Sequence, residues 1–231
     1  MCFNPTVSLG TAIIEWILAI LLPLKYPQAT MRYFLSILMI FLGLYQFSEF
    51  MFCTSSDVDI WMRFGFIAYS TLPAIAMHAT TTYLKIKLNI FWIYIVPVIF
   101  ITLAFLTPNF VKNGECHSVF VTAQNTLFSF TEPIKLVGFS IYLLYYFGFI
   151  LITCLLFIRA YFKEKNTKKQ KVLLSLPLAI FLMSFPTFVL IILFPAFEVR
   201  FPSILCHFAL LLAVTAFIGA RYEHQLKDGK K

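Results

Sequence analysis

Seven stretches of about twenty mostly apolar residues run through this chain, at about 6–24, 33–53, 60–84, 89–107, 134–158, 172–195 and 201–220. A helix needs roughly 20 apolar residues to cross about 30 Å of hydrocarbon. Inside that layer each backbone polar group must find its partner within the segment. Runs of this length therefore read as membrane-crossing helices, and they occupy most of the 231 residues. The expected fold is all-α integral membrane. It is one domain over 1–231, a single bundle of seven transmembrane helices with mostly short links. Composition agrees, since 61% hydrophobic and 12% charged residues lie far from the soluble range.

The basic residues set an orientation. The segments after the first, third and fifth spans, with the tail, hold 14 of the 18 Lys and Arg. The alternate segments hold Arg63, Lys112, Lys135 and Arg200. Positive charge collects on the cytoplasmic side, which predicts an N-terminus outside and a C-terminus in the cytoplasm. The plasma membrane is the expected location. The net charge of +8 is mostly this asymmetry, so no nucleic-acid partner is expected. The first basic residue of the first span, Lys25, follows the apolar run, so this span reads as retained rather than cleaved. The Lys-rich link RAYFKEKNTKKQK, Arg159–Lys171, is expected to lie against anionic headgroups of the bilayer.

Cys2, Cys53 and Cys116 fall on the predicted outer side, where one disulfide can form among them. Cys154 and Cys206 lie within spans as small apolar fillers. The outer link from Thr107 to Pro133 is the longest. Its segments SVFVT and TLFSF alternate, with AQN as the turn between them, and suit either a hairpin over the bundle mouth or a mobile loop held near the membrane by its aromatics. Pro73, Pro97, Pro177 and Pro186 are expected to bend their helices.

Polar residues inside the spans are the candidate site. Glu15 lies roughly 13 Å below the outer boundary at about 1.5 Å per residue, close to the midplane. A lipid-facing charge there is unfavourable by at least about 2.5–3.5 kcal/mol, so Glu15 must face the bundle, be neutral, or both. Gln46 and Glu49 are three apart on one face of the second span. His207 lies about two turns into the seventh, in the same outer half. Glu15, Gln46, Glu49 and His207 therefore form the expected polar, ligand-binding pocket, and Glu15 is expected to meet the Gln46/Glu49 face or His207. Tyr45 and His78 are secondary candidates, His78 lying one layer deeper.

Several activities find no support in the residues. The seventh span has no lysine for a retinal Schiff base, and the third ends TTTYLKIK without an acidic-Arg-aromatic triplet. No HExxH, phosphate loop or GxSxG is present. A zinc site from His207, Glu15 and Glu49 is chemically allowed but not demanded by spacing, so no catalytic residue, metal ligand or cofactor is assigned.

The opening Met1-Cys2-Phe3, Ser8 shortly after, and Gln46 with Glu49 in LYQFSEF resemble a family of uncharacterised seven-span membrane proteins. Members begin MCFS or MCWS and carry a Gln-x-x-Glu pair in the second helix; Asn4 departs from that pattern. More loosely, the layout is similar to the seven-helix sensor modules of histidine kinases. The resemblance implies a seven-span fold and no particular activity. The leading expectation is a receptor-like or sensor-like module that binds a small ligand from outside. It would signal through its inner links to a cytoplasmic or membrane protein partner. A proton-coupled solute transporter and a metal-dependent intramembrane hydrolase are the alternatives.

Overall fold

The computed structural model describes residues 5–116, 121–128, 132–193 and 205–228. Among these the chain forms seven helices: α1 (Pro5–Lys25), α2 (Arg32–Thr54), α3 (Val58–Tyr83), α4 (Ile90–Leu106), α5 (Pro133–Lys163), α6 (Thr167–Leu193) and α7 (Leu205–Asp228). One antiparallel hairpin, β1 (Val111–Cys116) and β2 (Val121–Asn125), lies between α4 and α5. Four helices, α1, α2, α3 and α5, are long and apolar enough to cross a membrane, while α4 is a shorter apolar helix of 17 residues. Large apolar side chains cover the outside, Leu144 at 76% and Leu106 at 73% exposure among them. An apolar exterior this broad suits lipid and not water.

Three boundaries differ from the sequence expectation. α5 continues to Lys163 and α6 begins at Thr167, so the Lys-rich segment is mostly two helix ends with a break of only 164–166. Asn166 makes that break by accepting the backbone N–H groups of Lys168 and Lys169 at 3.0 and 3.2 Å, an N-cap that starts α6 early. α7 likewise runs on to Asp228, through residues expected to be tail. The hairpin exists, but AQN is part of β2 and not the turn. Val111 pairs with Asn125 and Cys116 with Val121, and an irregularity falls between Val111 and Asn113. Apolar alternation picked the wrong strands because β1, VKNGEC, owes its place to side-chain and disulfide anchors instead.

Contacts along the helices fix their directions. Trp16 donates its ring N–H to the Ile40 carbonyl at 3.2 Å and packs on Phe47, and the short link 26–31 turns α2 back along α1, so the two are antiparallel. Gly43 permits this approach: a Cβ there would sit 2.5 Å from Trp16 Nε1. Tyr45 meets Tyr69 and Phe47 meets Trp61, which places α3 antiparallel to α2. Phe66 and Tyr69 meet Tyr142, while Tyr83 meets Phe157, so α3 and α5 run parallel. Tyr26 at the end of α1 meets Phe217 and His224 late in α7. Odd-numbered helices thus finish at one end, where Lys25, Arg32, Lys85, Lys163 and Lys171 also fall. α3 and α4 remain helical through Pro73 and Pro97. Pro73 has no N–H to donate to the Tyr69 carbonyl, and one residue on, the Tyr145 hydroxyl donates to the Ser70 carbonyl at 2.7 Å.

The other end carries the hairpin. Cys53 at the end of α2 is bonded to Cys116 in β1. Arg63 of α3 donates to Asp59, to the carbonyls of Ala104, Phe105 and Thr107 at the end of α4, and its guanidinium lies over Phe110. Those carbonyls have no helical partners of their own, and the helix dipole adds to the attraction for a cation. The other oxygen of Asp59 accepts the Val111 N–H at 2.9 Å, so one ion pair fastens both α4 and β1. Gly114 lies on Phe52, where a Cβ would come within 2.4 Å of the ring. Phe110 and Phe128 then pack on Phe66 under the hairpin.

Candidate functional site

Burial on α1 follows one stripe: Ser8, Thr11, Ala12, Glu15, Ala19 and Leu22. Their spacing of three and four puts them on one helical face. The N-terminal half of this stripe is polar and the C-terminal half apolar. α2 shows the matching division in reverse order, as an antiparallel neighbour should. Leu35, Leu38, Met39 and Leu42 are buried in its first half, with Ser36 the polar exception, and Tyr45, Gln46, Ser48 and Glu49 in its second. Polar faces of both helices therefore occupy the half of the bundle nearer the disulfide.

Glu15 is fully buried, as is Gln46, and Glu49 is 3% exposed. Trp16, the next residue after Glu15, contacts Ile40, Gly43 and Phe47, which sets Glu15 level with residues 40–47 of α2. Gln46 falls within that level and Glu49 one turn beyond it, toward the disulfide. Neither carboxyl oxygen of Glu15 and neither amide atom of Gln46 has a hydrogen-bond partner among the described residues. The two side chains share a layer without bonding each other. Over nine-tenths of buried polar groups are partnered, so four unmade hydrogen-bonding atoms in one layer call for a physical reason.

The remaining candidates fall as follows. Tyr45 is buried with its ring 6.2 Å from that of Tyr69. His78 is half-buried away from the layer, its Nδ1 3.2 Å from the Tyr94 hydroxyl and its ring edge-on to Phe34. His207 belongs to the first turn of α7, a helix that packs on both α1 and α2, but its side chain lies outside the described residues, as does Cys2. No group of three or more His, Cys, Asp and Glu with metal-binding geometry occurs among the described residues. What the layer offers is hydrogen bonding: carboxyl oxygens and an amide, held out of water, where such bonds are strong.

Three features escaped the sequence reading. The first is a tyrosine layer continuing from Tyr45 through Tyr69 to Tyr142 and Tyr146, with Tyr142 bonded to the Ser70 hydroxyl at 2.9 Å. Its trace in the sequence is the spacing of Tyr142, Tyr145 and Tyr146, one helical face. The second is Arg63 with Asp59, an i,i+4 pair of opposite charge at the start of a span. The third is Glu223, 4% exposed on α7, whose carboxylate accepts the backbone N–H groups of Thr30 and Met31 at 2.8 and 3.4 Å. Beside it is a cavity of about 20 Å³, lined by Met31, Leu35, Tyr83, Ser175 and Thr215 among others, room for about one water.

No protein-family model and no curated protein matches the chain.

Proposed function

We propose that the chain is a seven-span membrane protein, N-terminus outside and C-terminus in the cytoplasm, that works as a receptor-like or sensor-like module. Its ligand site is the layer of Glu15, Gln46 and Glu49, with His207 of α7 as a neighbour, reached from the outer face. The observation that carries this reading is the pair of fully buried, unpartnered side chains at one level, Glu15 and Gln46. Leaving such groups unsatisfied costs about 1–3 kcal/mol each. A fold that retains them does so most simply for a ligand that supplies the missing bonds.

Two further features support the placement. Disulfides persist in oxidising compartments, so the Cys53–Cys116 bond favours as outer the same end that carries the fewer basic residues. The buried stripe turns mostly apolar past Glu15, with Ala19 and Leu22 at the level of an α2 half that buries Leu35, Leu38, Met39 and Leu42 beside a single Ser36. A polar seam closed below by apolar packing suits a dead-end binding site better than a conduit, and so favours sensing over transport. The tyrosine layer from Tyr45 to Tyr142 gives occupancy a packed route to α3 and α5. The resemblance of Cys2, Phe3, Ser8, Gln46 and Glu49 to the uncharacterised seven-span family is consistent with this reading and adds no activity.

Accessibility tests it. In protein with Cys2, Cys154 and Cys206 replaced by Ser, a Thr11→Cys variant in sealed vesicles is exposed to a membrane-impermeant thiol reagent. Labelling from the outer face, and none at an Ala19→Cys control, is expected. Labelling of Ala19→Cys from the cytoplasmic face would show a through-path and sink the dead-end site.

A further inference from the structure

We infer that the Glu15–Gln46 layer is a cation site for a primary ammonium group. This rests on reading the layer as a ligand site and specifies what the ligand must be. The argument begins with the unmade bonds. Glu15 presents two buried oxygens and Gln46 one carbonyl oxygen, three acceptors in all, without a donor among the described residues. An –NH₃⁺ group carries three N–H donors and a positive charge, which is what a buried carboxylate lacks. The amide nitrogen of Gln46 is also unpartnered and would donate to an oxygen elsewhere on the same ligand. Amino alcohols, with an ammonium and a hydroxyl, match both demands.

Among the described residues of α1, α2 and α7, no Lys or Arg stands at this layer. Residues 5–24 of α1, 33–54 of α2 and 205–220 of α7 contain neither Lys nor Arg. Within α3 the sole Arg or Lys is Arg63, and its nitrogens are committed to Asp59 and to the Ala104, Phe105 and Thr107 carbonyls. Glu49 is buried one turn away. His207 is the remaining base on these helices, its side chain outside the described residues. The ammonium's charge-assisted bonds to Glu15 would form in a water-poor layer, where they are strongest.

The test uses the full chain in nanodiscs of phosphatidylcholine, which holds no primary amine. Thermal unfolding and Trp fluorescence, the latter in protein with Trp61 and Trp92 replaced by Phe so that it reports Trp16 beside Glu15, are followed while ethanolamine, methylammonium or tetramethylammonium chloride is added. Saturable stabilisation by ethanolamine and methylammonium is expected, ethanolamine binding more tightly, with no saturable response to tetramethylammonium. Glu15→Gln, which keeps the shape, should weaken both by about tenfold or more. Gln46→Leu should remove the preference for ethanolamine. A response already saturated in discs containing phosphatidylethanolamine would support the same site with the lipid headgroup as its source. An equal response to tetramethylammonium, or one unchanged in Glu15→Gln, would overturn the ammonium site. If Thr11→Cys labels from outside while no primary amine acts, the outward pocket stands and the ammonium assignment falls.

Discussion

Glu223 of α7 accepts the backbone N–H of Thr30 at 2.8 Å, across 193 positions of sequence. Together with the Met31 N–H it closes the turn between α1 and α2, whose first backbone donors have no helical acceptor of their own. The last helix is therefore fastened to the link between the two helices that carry Glu15 and Gln46. Glu223→Ala should cost about 1–3 kcal/mol, since the buried N–H groups lose their acceptor. Glu223→Gln, which keeps an oxygen, should cost less. Thermal unfolding in one detergent would order the three proteins, and an Ala variant as stable as the parent would remove Glu223 from this role.

Arg63 should resist replacement by Lys. Its guanidinium reaches Asp59 and the α4 carbonyls from one rigid fork, which a single ammonium cannot span. A loss of about 1–3 kcal/mol is expected for Arg63→Lys. It should coincide with faster hydrogen exchange at Val111, whose N–H depends on the partner carboxylate Asp59. Exchange at Val111 unchanged by the substitution would separate the ion pair from the hairpin.

Much of the helical layout was legible because its signal is long: each run of some twenty apolar residues repeats one physical demand many times. Boundaries were less so. The ends of α5, α6 and α7 lie in polar sequence, where caps such as Asn166 decide, and a single cap outweighs average hydropathy. Glu15, Gln46 and Glu49 were readable as buried because charge in an apolar run has few places to go. Their lack of bonds to each other was not, since pairing depends on the rotation of α1 against α2, set by Trp16 on Gly43. The hairpin strands were misread for a related reason. VKNGEC has no apolar alternation, and its anchors at Asp59, Phe52 and Cys53 are far away in sequence.

Gly43→Ala tests that rotation. In a typical helix this change stabilises by roughly 0.5–1 kcal/mol. Here the new methyl would fall 2.5 Å from Trp16 Nε1, so the sign should reverse to a loss of about 1–3 kcal/mol. Trp emission should shift as Trp16 is displaced. A stabilised variant with unchanged emission would show that α1 does not lie against α2 at this point.

The link between α5 and α6 should respond to acid. The side chain of Lys169, with the N–H groups of Asn166 and Lys165, holds the Glu164 carboxyl below its ordinary value. A depressed value means the folded chain binds the proton less readily than the unfolded one. The contribution is thus fully present above the ordinary carboxylate range and fades as pH falls below it. Hydrogen exchange at Lys165 and Asn166, whose N–H groups bond that carboxylate, should quicken as pH drops through this range, after correction for intrinsic rates. Lys169→Met should shift the onset to higher pH; the same onset in both proteins would rule the lysine out.

Glu15 is where stability and function should separate. Its carboxyl is fully buried and makes no hydrogen bond among the described residues, so removing it strands no partner among them. Replacing an unsatisfied buried polar group by an apolar one of similar size is neutral or stabilising. Glu15→Leu is therefore expected to unfold at the same temperature as the parent or higher, by up to about 1–3 kcal/mol. The same variant should lose the response to ethanolamine altogether. Trading stability for a site is a recurrent pattern, and it predicts opposite signs in the two measurements on one protein. Should Glu15→Leu be less stable than the parent, the carboxyl has a structural partner. It would then be a helix-to-helix bond rather than a ligand's, and the polar layer would be packing.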